Sequence, residues 1–328
     1  MSSRRRLIAV VVLVPVVAAL ALWAFAWPAA RTAPRDVPLG VAGPAAATAQ
    51  VERRLDRNEG AFEVHRYADE AAARDAVEDR SVYGAIVVTP EGTKLLTASA
   101  GSASVAQLLQ QRIAAEGSGV TTVDVVPASA DDPRGATLSA SVLPLVLAGI
   151  AAGAMVTLFG LRGGRAVAAL IGSASLVGAT ATAVAHNWLG VIDGNWWAEA
   201  GVFGLMTLAV SAAVAGVAAL LGTAGIGITA ALVMLIGNPS SGASSAPEML
   251  PVPFGAIGQW LPPGAGVSAL RSTAFFDGAA TTGPLLILGW WAALGLGAVL
   301  LGALLKHRSA TAPTTEREPA LVGQARGA

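Results

Sequence analysis

The stretch Asn238 to Gly283, NPSSGASSAPEMLPVPFGAIGQWLPPGAGVSALRSTAFFDGAATTG, decides how this 328-residue chain is read. It has the Pro and Gly of a loop, yet it is too apolar for an ordinary solvated connection. Phe254, Ile257, Trp260 and Leu261, then Val267, Leu270, Phe275 and Phe276, recur at helical intervals on either side of Pro262-Pro263-Gly264. Proline removes a donor and clashes with the preceding turn, so this spacing predicts two short helices bent back on each other. Such a hairpin sits at a membrane surface or dips into it.

The flanks explain why a membrane is expected. Apolar residues make up 54% of the chain and charged ones only 13%, and several charge-free runs approach the ~20 residues that a spanning helix needs. The candidate spans are Leu7 to Trp27, Ser139 to Leu161, Ala166 to Leu189, Ala200 to Gly222, the short Thr223 to Gly237, and Pro284 to Leu305. The expected fold is therefore an α-helical multi-pass membrane protein with about six transmembrane helices. It divides into an N-terminal anchor (1–30), an external α/β domain (31–137), a five-helix membrane domain (138–306) carrying the re-entrant hairpin at 238–283, and a disordered cytoplasmic tail (307–328).

Charge orients this arrangement. Arg4, Arg5 and Arg6, then Arg162 and Arg165, then Lys306 and Arg308 all fall on one side if the spans alternate, and the positive-inside rule makes that side cytoplasmic. Both termini are then cytoplasmic, in a plasma membrane, and residues 31–137 are extracytoplasmic. The eight tryptophans, which favour interfaces because the ring is amphipathic, fall at or near the opposite face. Ala24-Phe25-Ala26 has the form of a signal cleavage site. The apolar run before it is longer than the ~7 to 15 residues of a signal h-region, so a retained span is the preferred reading.

The 110 or so residues between the first two spans alternate strand and helix patterns. Strands are expected at Leu39–Ala42, Phe62–Tyr67, Val82–Val88, Lys94–Thr97 and Val120–Val126. Helices are expected at Ala45–Arg57, Asp69–Arg80 and Ser102–Glu116, the last capped by Ser102 or Ser104. The carboxylates Asp69, Glu70, Asp75, Glu78 and Asp79 are read as a solvated helix face with Arg74 and Arg80 as partners, not as a metal site. Asp131-Asp132-Pro133-Arg134-Gly135 reads as a hinge. The excess of acidic residues argues against nucleic acid as a partner.

Several chemistries lack their residues. There is no cysteine, no P-loop, no HExxH and no GxSxG, and His65, His186 and His307 fall far apart in sequence. No enzyme activity, cofactor or metal is expected, and a membrane-embedded enzyme is the least favoured class. The span interiors carry no charge, since Asp193, Glu199, Glu248, Arg271 and Asp277 are placed in external connections and His186 near an outer end. This disfavours proton-driven antiport. Small residues such as Gly149 and Gly153 let helices approach closely, more simply for packing within the bundle than at a subunit interface.

The layout, and the local runs Gly237-Asn238-Pro239, Leu261-Pro262-Pro263-Gly264 and Arg271 to Gly278, resemble the membrane subunits of type 2 ABC exporters and the related phage-infection-protein-like membrane proteins. The resemblance implies a permease-like export component working with a separate ABC ATPase, as a homodimer or heterodimer in the lipid bilayer. It also implies that the hairpin gates the outer end, with Phe254, Trp260, Pro262, Pro263, Arg271, Phe275, Phe276 and Asp277 as gate residues. Arg271 is expected to pair with Asp277 or Glu248, to meet a lipid phosphate, or to be solvated. Arg162 and Arg165 are the expected cytoplasmic partner contacts, on a turn shorter than the family's coupling helix. The alternative is a non-transporting surface protein whose external domain binds an envelope partner or phage.

Overall fold

The computed structural model describes residues 3–55, 57, 60–114 and 119–311. Helix α1 (Ser3–Ala29) leads into an α/β unit made of β1 (Val37–Ala42), α2 (Ala45–Leu55), β2 (Phe62–Tyr67), α3 (Glu70–Glu78), β3 (Gly84–Thr89), β4 (Gly92–Thr97), α4 (Ala103–Ala114) and β5 (Val120–Asp124). Then follow α5 (Ala136–Leu158), α6 (Gly163–Thr182) with a π turn over Ala183–Trp188, α7 (Trp196–Leu221), and α8 (Ala224–Ala231) with a π turn over Leu232–Gly237. The hairpin region holds α9 (Phe254–Gln259) and α10 (Pro262–Phe275), and α11 (Thr282–Thr311) ends the described chain. The remainder of the tail expected at 307–328 lies outside the described residues.

Among the described residues five helices are long and apolar enough to cross a bilayer: α1, α5, α6 with its π turn, α7 and α11. The expected sixth span is the shorter apolar helix Ala224–Gly237. At 1.5 Å per residue it reaches about 21 Å, less than the ~30 Å hydrocarbon core, because the chain leaves the helix at Asn238 to enter the hairpin.

The sheet order is β2-β1-β3-β4-β5, with β3 and β4 antiparallel and the other neighbours parallel. That pattern follows from the connections: a tight turn joins β3 to β4, while helices α2, α3 and α4 provide the crossovers that parallel neighbours require. Side chains alternate across the sheet with period two. Ala85, Val87 and Leu96 pack toward Ala73, Ala76 and Val77 of α3, while Ile86 and Leu95 pack toward Val105 and Leu109 of α4. Ser102 caps α4 by accepting from the Val105 amide at 3.3 Å.

The hinge expected at Asp131 to Gly135 is instead a clasp. The buried Asp132 carboxylate accepts from the amides of Ala136 (2.8 Å) and Thr137 (2.7 Å), capping α5, and Ser129 Oγ donates to the Gly190 carbonyl at 2.8 Å. Two of the free amides at the start of α5 are thereby satisfied, which a mobile hinge would leave open.

Helix α7 is the hub of the bundle, apolar on every face as a helix surrounded by others must be. Its neighbours reach it through glycines. A Cβ at Gly149 or Gly153 of α5 would press on Val210 and Thr207, or on Ser211 and Val214. One at Gly178 of α6 would meet Ala200 and Gly204, and Gly295 of α11 lies against Ala212. The GxxxG pair thus packs inside the chain.

Candidate functional site

The hairpin is apolar because it is mostly interior. Nearly all of α10, from Pro262 to Ala274, is buried. It lies against α7, α11 and the π turn before Asn238, and Arg80 of the α/β unit reaches Ser268 and Ser272 on it. Pro262 and Pro263 occupy its first turn, where a missing amide costs nothing and the fixed φ suits the helix. Phe254 is half-buried, edge-on to Trp27 of α1 with ring centroids 6.1 Å apart. The carbonyl of the exposed Trp260 accepts from Trp291 Nε1 of α11 at 2.8 Å.

Helix α9 turns its glycines inward. Its glycines, Gly255 and Gly258, are buried against the backbone of Pro247 and Ser240, while Ile257 and Trp260, with the preceding Val252, are exposed. Only glycine allows that backbone approach. The large apolar side chains therefore point outward, as suits a surface that meets lipid.

The hairpin also completes the α/β unit. Phe276 joins the core on the α3 side of the sheet, and Ala246 and Met249 join the core on the other side. The amides of Ala33 and Arg35, just after α1, donate to the carbonyls of Met249 and Glu248 at 3.0 Å each. The hairpin thus holds the end of the sheet between its two arms.

Polar groups converge at this joint. Arg80 was expected to face its own helix's carboxylates, but it leaves α3 instead: Nη1 donates to the Ser268 carbonyl (2.9 Å) and Ser272 Oγ (2.5 Å), and its guanidinium lies 5.2 Å from the Phe276 ring centroid. Its φ of 59° is left-handed, a conformation that costs a non-glycine residue about 1–2 kcal/mol and that usually selects glycine just after a helix. Keeping an arginine there makes sense only because its side chain is used. Burial holds the Arg80 guanidinium below its ordinary value, opposed by Tyr83 and Glu248.

Arg271 is neither solvated nor paired with Asp277. Buried at 6% exposure, it donates from Nη1 to Gly242 O (3.2 Å) and from Nη2 to Ala243 O (2.6 Å). Burial brings its pKa down to about 10, with Tyr83 and Glu248 raising it and Arg80 lowering it, so it stays cationic at neutral pH. Asp277 is exposed, with a left-handed φ of 49°. Glu248 accepts instead from Tyr83 Oη at 2.8 Å, and burial followed by Glu248 pushes the Tyr83 hydroxyl up. Arg35 donates to the carbonyls of Ala33, Met249 and Arg31. Around these groups lies a cavity of about 460 Å³, lined by Arg35, Arg80, Tyr83, Glu248, Gln259 and Arg271 among others.

A second polar pair lies deeper. Glu199, placed by the sequence reading in an external connection, is in the first turn of α7 with no exposed area, and its Oε2 is 2.9 Å from His186 Nδ1. Its Oε1 is buried without a partner among the described residues. The π turn of α6 brings His186 there, so a titratable pair joins the facing ends of two helices long enough to span. At the opposite end of the bundle, Arg162 and Arg165 are exposed on the α5–α6 turn, which Gly160 and Gly163 make with positive φ.

Comparison with known proteins adds one finding: residues 5–132 match the family model described as ABC-2 family transporter protein. The match supports a membrane subunit of a type 2 ABC exporter. It spans most of α1 and the whole α/β unit and stops before α5, so it falls on a different part of the chain from the hairpin runs on which the resemblance was read. Such a permease subunit is a multi-pass membrane transport protein that normally works with an ABC ATPase. Neither the curated proteins nor the solved structures give a match.

Of the signals in this sequence, the hairpin located the joint but not its chemistry. Arg80 was the residue to notice, since an arginine follows α3 where a glycine is usual. Tyr83, Glu248 and Arg35 carry no local pattern that marks them.

Proposed function

We propose that this chain is the permease-like component of an export system, energised by a separate ATPase, in which the 238–283 hairpin closes the outer end of the pathway. The observation that carries the reading is the position of α10, buried between the helix bundle and the α/β unit. Phe276, Arg80 and the backbone bonds to Met249 and Glu248 link that unit to the hairpin, a route by which its movement can reach α10. The α/β unit lies outside the plasma membrane on this reading and both termini lie inside, consistent with the basic residues at one end of the bundle and the tryptophans at the other. Arg162 and Arg165 are then the cytoplasmic contacts for the ATPase, and a dimer with itself or a related chain encloses the pathway.

Purification of the full chain in mild detergent tests this. A nucleotide-binding subunit should copurify, and vesicles holding both should show ATP-dependent efflux that fails when α10 is cross-linked to α11 through introduced cysteines. Absence of any ATPase together with absence of ATP-dependent transport would sink the proposal.

A further inference from the structure

The joint between the hairpin and the α/β unit holds more positive charge than its surroundings account for. The α/β segment as a whole has more acidic than basic residues, yet the cavity is lined by three arginines and one carboxylate. That carboxylate, Glu248, is engaged by the Tyr83 hydroxyl. Among the described residues no carboxylate lies within ion-pair distance of Arg80 or Arg271, although Arg271 is buried. Glu248 acts on both from beyond contact distance, but it is one carboxylate against three guanidiniums, and hydrogen bonds to carbonyls compensate the donors but not the remaining charge. The donors are also incompletely used: among the described residues Arg80 bonds only through Nη1 and Arg271 only through its two terminal nitrogens.

The cavity's other wall is apolar. Leu250, Pro251, Val252 and Pro253 and the exposed Ala256 of α9 border it, and Pro284 near the start of α11 closes it. Val252 is 74% exposed and Trp260 71%, and neighbouring Phe254 packs on Trp27 at the end of the first span. Tryptophan at span ends marks headgroup depth, so this wall lies where headgroup meets acyl chain. A volume of about 460 Å³ suits a small polar group rather than a whole lipid.

We infer that this cavity binds the phosphate-bearing headgroup of an anionic amphiphile, with the phosphate among Arg35, Arg80 and Arg271 and the apolar tail leaving past Val252 and Ala256 into the bilayer. Guanidinium groups from three segments line the cavity and keep N–H donors beyond those their present bonds use, a set of directional donors that lysine would not reproduce. A bound headgroup bridges the α/β unit and the hairpin and neutralises the joint. The inference does not depend on transport, since binding is read without ATP or a partner.

The test uses the full chain in neutral detergent, with dioleoyl phosphatidylglycerol, dioleoyl phosphatidylcholine or inorganic phosphate as probes, and with native mass spectrometry and thermal unfolding as readouts. The wild type should retain one phosphatidylglycerol at least tenfold more tightly than phosphatidylcholine. Arg80→Gln should lose that preference, and Ala256→Trp, which fills the cavity from an exposed position, should lower retention at least tenfold while unfolding as the wild type does without lipid. If Arg80→Gln fails to fold, Ala256→Trp decides alone. Equal retention of the two lipids, or wild-type retention by Ala256→Trp, overturns the site. Inorganic phosphate binding as tightly as phosphatidylglycerol overturns the amphiphile.

Discussion

Replacing Gly153 by alanine isolates the packing that makes α7 the hub. A methyl there would stand 2.5 Å from the Ser211 carbonyl oxygen and 2.8 Å from Val214 Cβ, and neither a helix backbone nor a β-branched side chain can swing away. To restore ordinary contact α5 must withdraw from α7 by close to 1 Å, which forfeits roughly a quarter to a half of the dispersion energy along that seam. Overpacking of this kind costs about 1–3 kcal/mol, while alanine recovers about 1 kcal/mol of helix propensity relative to glycine. Gly153→Ala should therefore lose up to about 2 kcal/mol. Gly172 supplies the control, because the same methyl on α6 meets nothing within 4 Å, and Gly172→Ala should be neutral or stabilising by up to about 1 kcal/mol. Tryptophan fluorescence during unfolding in mixed micelles measures both. Equal stability of the two variants would refute the reasoning. So would a Gly153→Ala protein that loses only a subunit contact while its monomer unfolds as the wild type does, since that would put the GxxxG face between chains.

Other consequences can be checked with the same preparation. Phe276→Ala removes a hairpin ring from the core of the α/β unit and should cost that unit about 3–5 kcal/mol, seen as faster hydrogen exchange in β3 and β4; exchange unchanged there would separate the two parts. His186→Ala leaves the Glu199 carboxylate buried and unpaired, with an expected loss of about 3–5 kcal/mol by thermal or denaturant unfolding, whereas Glu199→Ala, which leaves a partly exposed imidazole, should lose about 1–3 kcal/mol. The reverse order would mean that the pair is not held as described. Arg162→Ala with Arg165→Ala should reduce recovery of an ATPase subunit without altering thermal stability, because both side chains are exposed; undiminished recovery would move the contact elsewhere.

Much of the architecture was legible along the chain because it rests on local rules. Charge-free runs marked α1, α5, α6, α7 and α11, and the alternation of patterns located all five strands. The facing of α9 was not legible, because apolar spacing shows that a helix has a face but not whether glycine or a large side chain should take the inner side. The surroundings of Arg80 and Glu199 were misread for a common reason: each is defined by a partner far along the chain or on another helix. Arg80 meets Ser268 and Ser272, and Glu199 meets a histidine that a π turn swings into place.

The sequence by itself determined that the chain is a membrane helix bundle interrupted by an α/β unit, and that the 238–283 segment is no ordinary loop, since hydropathy and periodicity are properties of neighbouring residues. Tertiary structure alone decided what that segment is for in the fold. It supplies core residues to both faces of the sheet and carries a buried arginine, and it leaves a cationic cavity beside exposed apolar residues. Those features exist only once distant segments are brought into contact. Burial, which sets the cost of a charge, belongs to that arrangement and not to any stretch of sequence.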